Sequence, residues 1–336
     1  INEIVRRHEV LRTRIEIVEG EPAQVIDEAS SVEVREIDVS GLEEWQRERE
    51  ARRVAGEEAG RGFDLSRGPL LRAGMVRLGE RDQALLLTMH HVVSDEWSRG
   101  VLIKEVNRLY AAYGRGEASP LEEPAVQYVD YAVWQRGWLR GEVLDRQIGY
   151  WRERLEGVES LELPTDHPRP AVQSYNGAAE GMLIPEETAE KLRELGRREG
   201  ATMFMLLMSA FKILLHRHSG QERIVVGTPI AGRNHLELEG LIGFFVNMLA
   251  LKTDLGGGPS VREAIRRERE AALGGYAHQD VPFEKVVEEL QPARDLSRHP
   301  IFQVIFDYEK AAEERVAAGD LRLSRFGAGI TQAKYD

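Results

Sequence analysis

The spacing of apolar and polar positions predicts a chain of mixed helices and strands. The opening INEIVRRHEV places Ile4, Val5 and Leu11 at helical spacing. The next stretch, RTRIEIVEGEPAQVI, predicts two short strands around a turn at Gly20–Pro22. A charged helix is predicted to follow over residues 42–60.

A second pair of strands is predicted in PLLRAGMVRLGERDQALLLTMHHVV, joined by a turn at Gly79–Asp82. The later strand is apolar throughout Ala84–Leu87, which is typical of a strand buried on both faces. It leads directly into His90 and His91, so the pattern places two imidazoles at a strand end.

A helix is predicted from Trp97 to Tyr113, where apolar residues recur at helical spacing. Ser94 or Asp95 would cap this helix, because a short polar side chain can accept from the first free amides. Helical spacing continues through YVDYAVWQRGWL to YWRERLEGV.

The division of the chain is predicted from LPTDHPRPAVQSYNG, residues 163–177, which has three prolines and no periodicity. We therefore predict a lobe over residues 1–165, a linker over 166–180 and a second lobe over 181–336. In the second lobe, an apolar helix ends at Gly220, and RIVVGTPIAGR and LIGFFVNMLALKTDL predict buried strands. The fold class predicted is α/β with two lobes.

Composition narrows the functional classes. A length of 336 residues allows two lobes, and 42% hydrophobic with 30% charged residues is ordinary for a globular protein. The net charge of −12 argues against a nucleic-acid partner. The absence of cysteine excludes disulfides, thiolate zinc sites and cysteine nucleophiles. With no long apolar run and no leader, we predict no membrane segment and a cytoplasmic location.

The double histidine has two possible roles. Side chains alternate along a strand, so His90 and His91 would face opposite sides and would not ligate one metal ion together. One ring would then be structural, and the other could transfer a proton near neutral pH. Two adjacent histidines at a strand end also fit purely structural or surface positions, and the pattern alone leaves both roles open.

The stretch MHHVVSDEWS resembles the HHxxxDG signature of condensation domains of nonribosomal peptide synthetases. Five further stretches resemble signatures of this family in the family's order: RHEVLRT, YVDYAVWQ, GTPIAGRNHLELEGLIGFFVN, HQDVPFEKVVEEL and RDLSRHPIFQVIF. The resemblance covers essentially the whole chain, without the family's first and last elements. It implies two chloramphenicol-acetyltransferase-like lobes that form a V-shaped pseudo-dimer around a central cleft.

The resemblance also implies an activity. An upstream donor and a downstream acceptor carrier protein would each present a thioester on a phosphopantetheine arm, with an adenylation domain adjacent. The domain itself would bind neither cofactor nor metal. His91 would be catalytic, accepting a hydrogen bond from the attacking α-amine, and His90 would complete the motif. Asp95 would be structural and paired with Arg12, and Arg294 would be a similar structural residue.

The remaining implied site residues line the substrate channel: Glu96, Trp97, Ser98 and Asn247. Glu96 stands where the family signature has glycine. Three interpretations stay open for it: tolerated variation, an acidic group that attracts the acceptor's ammonium, or impaired activity. Two other functions also stay open for the chain. They are a CoA-dependent acyltransferase of the same superfamily and a catalytically inactive, condensation-like recruitment platform.

Overall fold

The structure is a computed structural model, and it describes residues 1–173, 176–292, 295–309, 315–318, 321–324 and 326. The helices are α1 (Asn2–Arg7), α2 (Glu44–Gly60), α3 (Glu96–Gly114), α4 (Tyr128–Trp138), α5 (Gly141–Leu155), α6 (Glu186–Glu199), α7 (Met203–Ser219), α8 (Leu236–Glu239), α9 (Val261–Ala277) and α10 (Phe283–Leu290). The strands are β1 (Thr13–Val18), β2 (Glu21–Ile26), β3 (Val34–Asp38), β4 (Leu71–Arg77), β5 (Gln83–Met89), β6 (Arg223–Ile230), β7 (Asn247–Asp254), β8 (Arg315–Ala318) and β9 (Leu321–Ser324). The predicted α/β class is confirmed.

The described residues group into two compact units. The first contains residues 1–137 and 233–245 together with the hairpin β8–β9, and the second contains 138–232 and 246–310. This grouping differs from the predicted division at residues 165 and 180 in two respects. Helix α5 belongs to the second unit, and the segment 233–245 belongs to the first although β6 and β7, on either side of it, belong to the second.

In the first unit, the predicted hairpin β1–β2 is antiparallel, and a separate sheet has the order β3-β4-β5. β3 pairs parallel with β4, and β4 pairs antiparallel with β5. The prediction that β5 is buried on both faces is wrong, because in the described chain β5 pairs only with β4 and Leu85 is 37% exposed. The sequence pattern did not reveal β3, which is a short, mostly polar strand.

The core of the first unit lies between α1, α3 and the start of β4. Fully buried leucines from α3, from the start of β4 and from the 3-10 turn Glu9–Arg12 that follows α1 pack in one cluster with Ile242: Leu11, Leu70, Leu71 and Leu102. Burying a leucine of this kind stabilises the fold by roughly 1.5–3 kcal/mol. Ile242 is separated from the others by more than a hundred residues, so this core fixes the segment 233–245 to the first unit.

In the second unit, β6 and β7 form an antiparallel pair, and α7 and α9 pack against this pair. The apolar helix predicted to end at Gly220 is confirmed as α7, and Gly220 caps it with a left-handed φ of 72°. The predicted strand LIGFFVNMLALKTDL is only partly correct, since β7 begins at Asn247. The backbone groups of 242–245 bond to side chains of the first unit instead of to a neighbouring strand.

Among the described residues, no single helix is both long enough and apolar enough to cross a bilayer. The bent pair α6 and α7, with 102° between the helices, reaches that length and composition only when the two are taken together.

Candidate functional site

The double histidine directly follows Met89, the last residue of β5, as the sequence pattern predicts. The amide of His90 still donates to the Leu70 carbonyl, at 3.0 Å, and a short 3-10 turn over His91–Val93 then begins. The His90 ring accepts from the Val92 amide through Nδ1 at 3.0 Å and meets the edge of Phe63. The His90 ring therefore stabilises the turn that it begins.

The His91 ring is exposed, and among the described residues it makes one hydrogen bond. Its Nδ1 lies 2.6 Å from the Ser94 carbonyl oxygen. A carbonyl can only accept, so Nδ1 carries the proton, and in the neutral ring Nε2 holds the lone pair. The ring also makes an edge contact with Phe244, with the centroids 5.1 Å apart and the planes at 89°. The arrangement presents a proton acceptor to an incoming molecule.

Asp95 caps α3 and joins two distant parts of the sequence. Its Oδ1 accepts from the Ser98 amide at 2.8 Å, which confirms it as one of the two predicted capping residues. Its Oδ2 accepts from the Phe245 amide at 3.0 Å. The carboxylate also lies 3.2 Å from Nη2 of Arg233, and the two side chains are only 3% and 1% exposed.

The predicted ion pair between Asp95 and Arg12 is wrong. Arg12 lies in the 3-10 turn Glu9–Arg12, and its guanidinium donates to Glu9 at 3.2 Å and to the Asp27 carbonyl. Arg233 takes the place beside Asp95 because its segment also delivers the Phe245 amide to the same carboxylate. The other arginine predicted to be structural, Arg294, lies outside the described residues.

Ser98 is not a channel residue, because its side chain is fully buried. Its hydroxyl accepts from the Gly243 amide at 3.0 Å and from Arg233 at 2.9 Å. The single hydroxyl proton can be donated to Asp95, at 2.6 Å, or to the Gly243 carbonyl, at 2.8 Å. Ser98 thus links α3 to the segment 233–245.

The next two residues of the predicted channel are exposed at the start of α3. The Glu96 carboxylate is 52% exposed and pairs with Arg99 one turn later. Trp97 is 45% exposed, and its indole Nε1 donates to the Glu239 carbonyl at 2.8 Å. Both side chains therefore reach solvent on the same turn that Asp95 caps.

Asn247 holds a loop of the second unit. Its Nδ2 donates to the carbonyls of Gln279 and Val281 at 2.9 and 2.8 Å. Its Oδ1 accepts from the Phe283 amide at 3.0 Å. Both ends of the amide are thus engaged within the protein, which does not fit the predicted role of lining a channel.

Sequence reasoning missed three residues of the site: Arg233, Phe244 and Tyr128. The Tyr128 hydroxyl donates to the Phe244 carbonyl at 2.9 Å, and burial raises the pKa of Tyr128 to about 12, so this donor stays protonated at neutral pH. Burial lowers the pKa of Arg233, against the opposing effect of Asp95. The available signal was that Arg233 and Phe244 lie in GTPIAGRNHLELEGLIGFFVN and Tyr128 lies in YVDYAVWQ, two of the stretches that resemble family signatures.

In the part of the chain that the structure describes, no three histidine, aspartate or glutamate side chains are grouped as a metal site. His90 and His91 contact different neighbours, Phe63 and Phe244, and do not converge on one point.

Comparison with known sequences identifies relatives over the full chain. The Condensation domain family model matches residues 1–336. One protein of the linear gramicidin synthase of Brevibacillus parabrevis is 49% identical over 336 residues, which are 99% of this chain and 7% of that protein. A second protein of the same synthase is 52% identical over 339 residues, covering 99% of this chain and 6% of that protein. The chain thus spans less than a tenth of either relative.

Solved structures share the fold. The X-domain from teicoplanin biosynthesis aligns with a TM-score of 0.89 and 27% identity, covering 100% of this chain and 75% of that one. A four-domain nonribosomal peptide synthetase, bound to AMP and glycine, aligns over 98% of this chain and 25% of that one. Its TM-score is 0.84 at 24% identity. The chain belongs to the condensation-domain family, whose members in nonribosomal peptide synthetases form peptide bonds by acyl transfer.

Proposed function

We propose that this chain joins a donor acyl or peptidyl thioester to the α-amine of an acceptor aminoacyl thioester. Both substrates arrive on phosphopantetheine arms of carrier proteins, and the chain itself supplies no cofactor. The single observation that carries the proposal is the exposed His91 ring, whose Nδ1 is fixed by the Ser94 carbonyl. That bond leaves Nε2 as the acceptor for the attacking amine.

The chemistry needs orientation more than activation. A free α-amine has a pKa of about 8, so a useful fraction is already neutral at pH 7. Its nitrogen attacks the thioester carbonyl, the carbon–sulfur bond breaks, and the donor arm leaves as a thiol. The proton that the nitrogen loses is accepted by Nε2 of His91 and is passed on to the departing sulfur. Holding two tethered groups in attack geometry removes up to about 7–11 kcal/mol of the barrier.

The developing oxyanion needs hydrogen-bond donors. We place it at the start of α3, where the helix carries partial positive charge. The Ser98 amide is excluded as a donor because it is bonded to Asp95. This limits the candidate donors to the amides that precede Ser98 in the first turn.

Glu96 is proposed to attract the acceptor's ammonium before deprotonation. Its carboxylate is exposed at the start of α3, five residues after the catalytic histidine. Replacing it by the family's glycine, Glu96→Gly, is expected to raise the KM for the acceptor severalfold and to leave kcat little changed. An unchanged KM would remove this role.

The proposed partners are an upstream donor carrier, a downstream acceptor carrier and an adjacent adenylation domain, in a cytoplasmic assembly. The small share of each relative that the chain covers supports an assembly of this kind. A CoA-dependent acyltransferase would instead use acyl-CoA in place of the donor carrier, which makes the donor the first variable to test.

The test supplies two loaded carriers and measures the peptide on the acceptor arm by mass spectrometry. His91→Ala is expected to lower the rate by roughly 10²–10⁴-fold, the usual contribution of a positioned acid or base. His167→Ala, which removes an exposed histidine of the linker region, is the matched control and should retain the full rate. Equal rates for His91→Ala and wild type would overturn the proposal.

A recruitment platform is the second candidate function. It is favoured by the similarity to the X-domain, which has also been solved in a complex with OxyB. That 28% identical structure aligns with a TM-score of 0.84. Under this alternative the wild-type chain, given correctly loaded carriers, would form no peptide and would bind a partner enzyme equally well with His91→Ala.

A further inference from the structure

We infer that Phe244 is a positioning residue for His91. It acts through the segment Leu241–Phe245, which we call the anchored segment. The inference rests on the proposed catalytic role of His91 and adds the element that orients its ring. The effect of Phe244 passes through the imidazole, which its ring contacts.

A single hydrogen bond does not fix the plane of an imidazole. The bond from Nδ1 of His91 to the Ser94 carbonyl sets one atom, and the ring can still rock about that bond. The edge contact with Phe244, at 5.1 Å and 89°, supplies a second restraint in a geometry that aromatic pairs prefer. The two contacts together determine where Nε2 points.

The backbone of the anchored segment is held at each residue from Ile242 to Phe245. All the bonding partners are buried or half-buried side chains of the first unit. The Ile242 amide donates to Nδ1 of His8 at 3.4 Å, and the Gly243 amide and carbonyl lie 3.0 and 2.8 Å from the Ser98 hydroxyl. The Phe244 carbonyl accepts from the Tyr128 hydroxyl at 2.9 Å, and the Phe245 amide donates to Asp95 at 3.0 Å. Such dense side-chain bonding of an irregular segment leaves its backbone one conformation.

Gly243 shows how close this fit is. A Cβ at this position would lie 2.4 Å from Cδ2 of Tyr128 and 2.7 Å from Cε2 of Phe245. No side chain fits there, so the backbone passes directly against the Tyr128 ring. The position of the next residue, Phe244, is fixed by this close approach.

The neighbouring residues Phe244 and Phe245 have different surroundings. Phe245 is 3% exposed and packs with Tyr128 and Tyr131 in a buried cluster. Phe244 is only half-buried and lies outside that buried cluster, with its ring against the exposed His91. Phe245 therefore accounts for the apolar packing, and the contact with His91 is the remaining role for Phe244.

The experiment compares Phe244→Leu, Phe244→Tyr and the control Phe204→Leu in the intact protein with loaded carriers. Phe204 is a half-buried phenylalanine of the second unit that also makes an aromatic edge contact, with Phe306. Phe244→Leu is expected to lower kcat roughly 10- to 100-fold, as small misplacements of catalytic groups do, with KM within about twofold. Phe244→Tyr is expected to retain most of the wild-type kcat, and Phe204→Leu is expected to leave kcat unchanged.

A second readout does not depend on activity. With labelled histidine, the NMR signals of the His91 ring protons should shift in Phe244→Leu by more than the lost ring current of Phe244 explains, because the imidazole moves, and they should not shift in Phe204→Leu. If wild type formed no peptide, the proposed function would fail, and the NMR comparison would still decide the positioning. A shift of the His91 signals that the lost ring current explains in full, or an unchanged kcat in an active protein, would overturn the inference. If Phe244→Leu does not fold, Phe244→Met takes its place.

Discussion

Among the described residues, each unit contains an ion pair whose two side chains are at most 3% exposed, and the two pairs differ in the other groups that they bind. In the first unit, Asp95 pairs with Arg233 at 3.2 Å. In the second, Lys212 pairs with Glu268 at 2.7 Å, with both side chains 0% exposed. Burial lowers the pKa of Arg233 and of Lys212, and the paired carboxylate opposes that shift in each case. The electrostatic setting of the two pairs is therefore alike.

Their hydrogen bonds are not alike. Lys212 donates to the Leu251 carbonyl at 2.8 Å and to Thr253 at 3.0 Å, and Thr253 donates to Glu268. This set joins α7 and α9 to β7, which are already packed together. Asp95 instead receives the amide of a residue in the anchored segment, beside the exposed histidine. Burial of an ion pair therefore does not by itself indicate a functional site. What distinguishes Asp95 is that it holds a segment that contacts the exposed His91.

The largest effect is expected for Asp95→Ala. The change leaves Arg233 charged and uncompensated and frees the amides of Ser98 and Phe245, so the free energy of unfolding should fall by about 3–5 kcal/mol. Denaturant unfolding measures this loss. Peptide formation, measured where the variant is still folded, should fall as well, and full activity in the folded fraction would show that Asp95 does not order the site.

Glu268→Ala should cost a similar 3–5 kcal/mol, because it leaves a buried ammonium without its partner. In contrast to Asp95→Ala, the folded fraction should retain wild-type activity. The double variant Lys212→Met with Glu268→Leu should recover most of the stability, since apolar replacement of both partners is often neutral or better. Activity lost in the folded double variant would show that the second pair also serves the site.

Gly243→Ala is expected to have an intermediate effect. The added Cβ collides with the Tyr128 ring, and overpacking of this kind costs about 1–3 kcal/mol. Because the displaced backbone carries Phe244, kcat should fall more than the loss of stability explains. Gly240→Ala, where a Cβ would meet nothing within 4 Å, is the control for the same loop.

The smallest effect concerns acid stability. Burial alone would raise the pKa of Glu105, but the hydrogen bonds and charges of His8 and Arg7 bring it below its ordinary value of 4.5. Its contribution to stability is therefore complete above pH 4.5 and is lost as the pH falls through the lower folded-state pKa. Unfolding free energies measured from pH 6 downwards should decline less steeply for Glu105→Gln. Parallel curves would contradict this assignment.

Sequence reasoning predicted what local spacing controls. The hairpin β1–β2, the helix α3 and its cap Asp95 follow from periodicity and from the needs of free amides at a helix start. The catalytic assignment to His91 came from the family resemblance. It stays a prediction, although the geometry of the ring suits it.

What could not be predicted depends on contacts distant in sequence. Asp95 and Arg233 are 138 residues apart, and nothing in the spacing of either residue distinguishes Arg233 from Arg12 as the partner. The stretch GFF has the apolar character of a strand, yet its amides and carbonyls are satisfied by Ser98, Tyr128 and Asp95. Only the folded chain brings these groups together.

The membership of residues 233–245 in the first unit has a consequence for recombining this chain with its relatives. A crossover placed between residues 137 and 138 would combine the aspartate of one parent with the arginine and glycine of the other. Chimaeras built at that junction would inherit a hybrid site, whereas exchanging 1–137 together with 233–245 would transfer it whole.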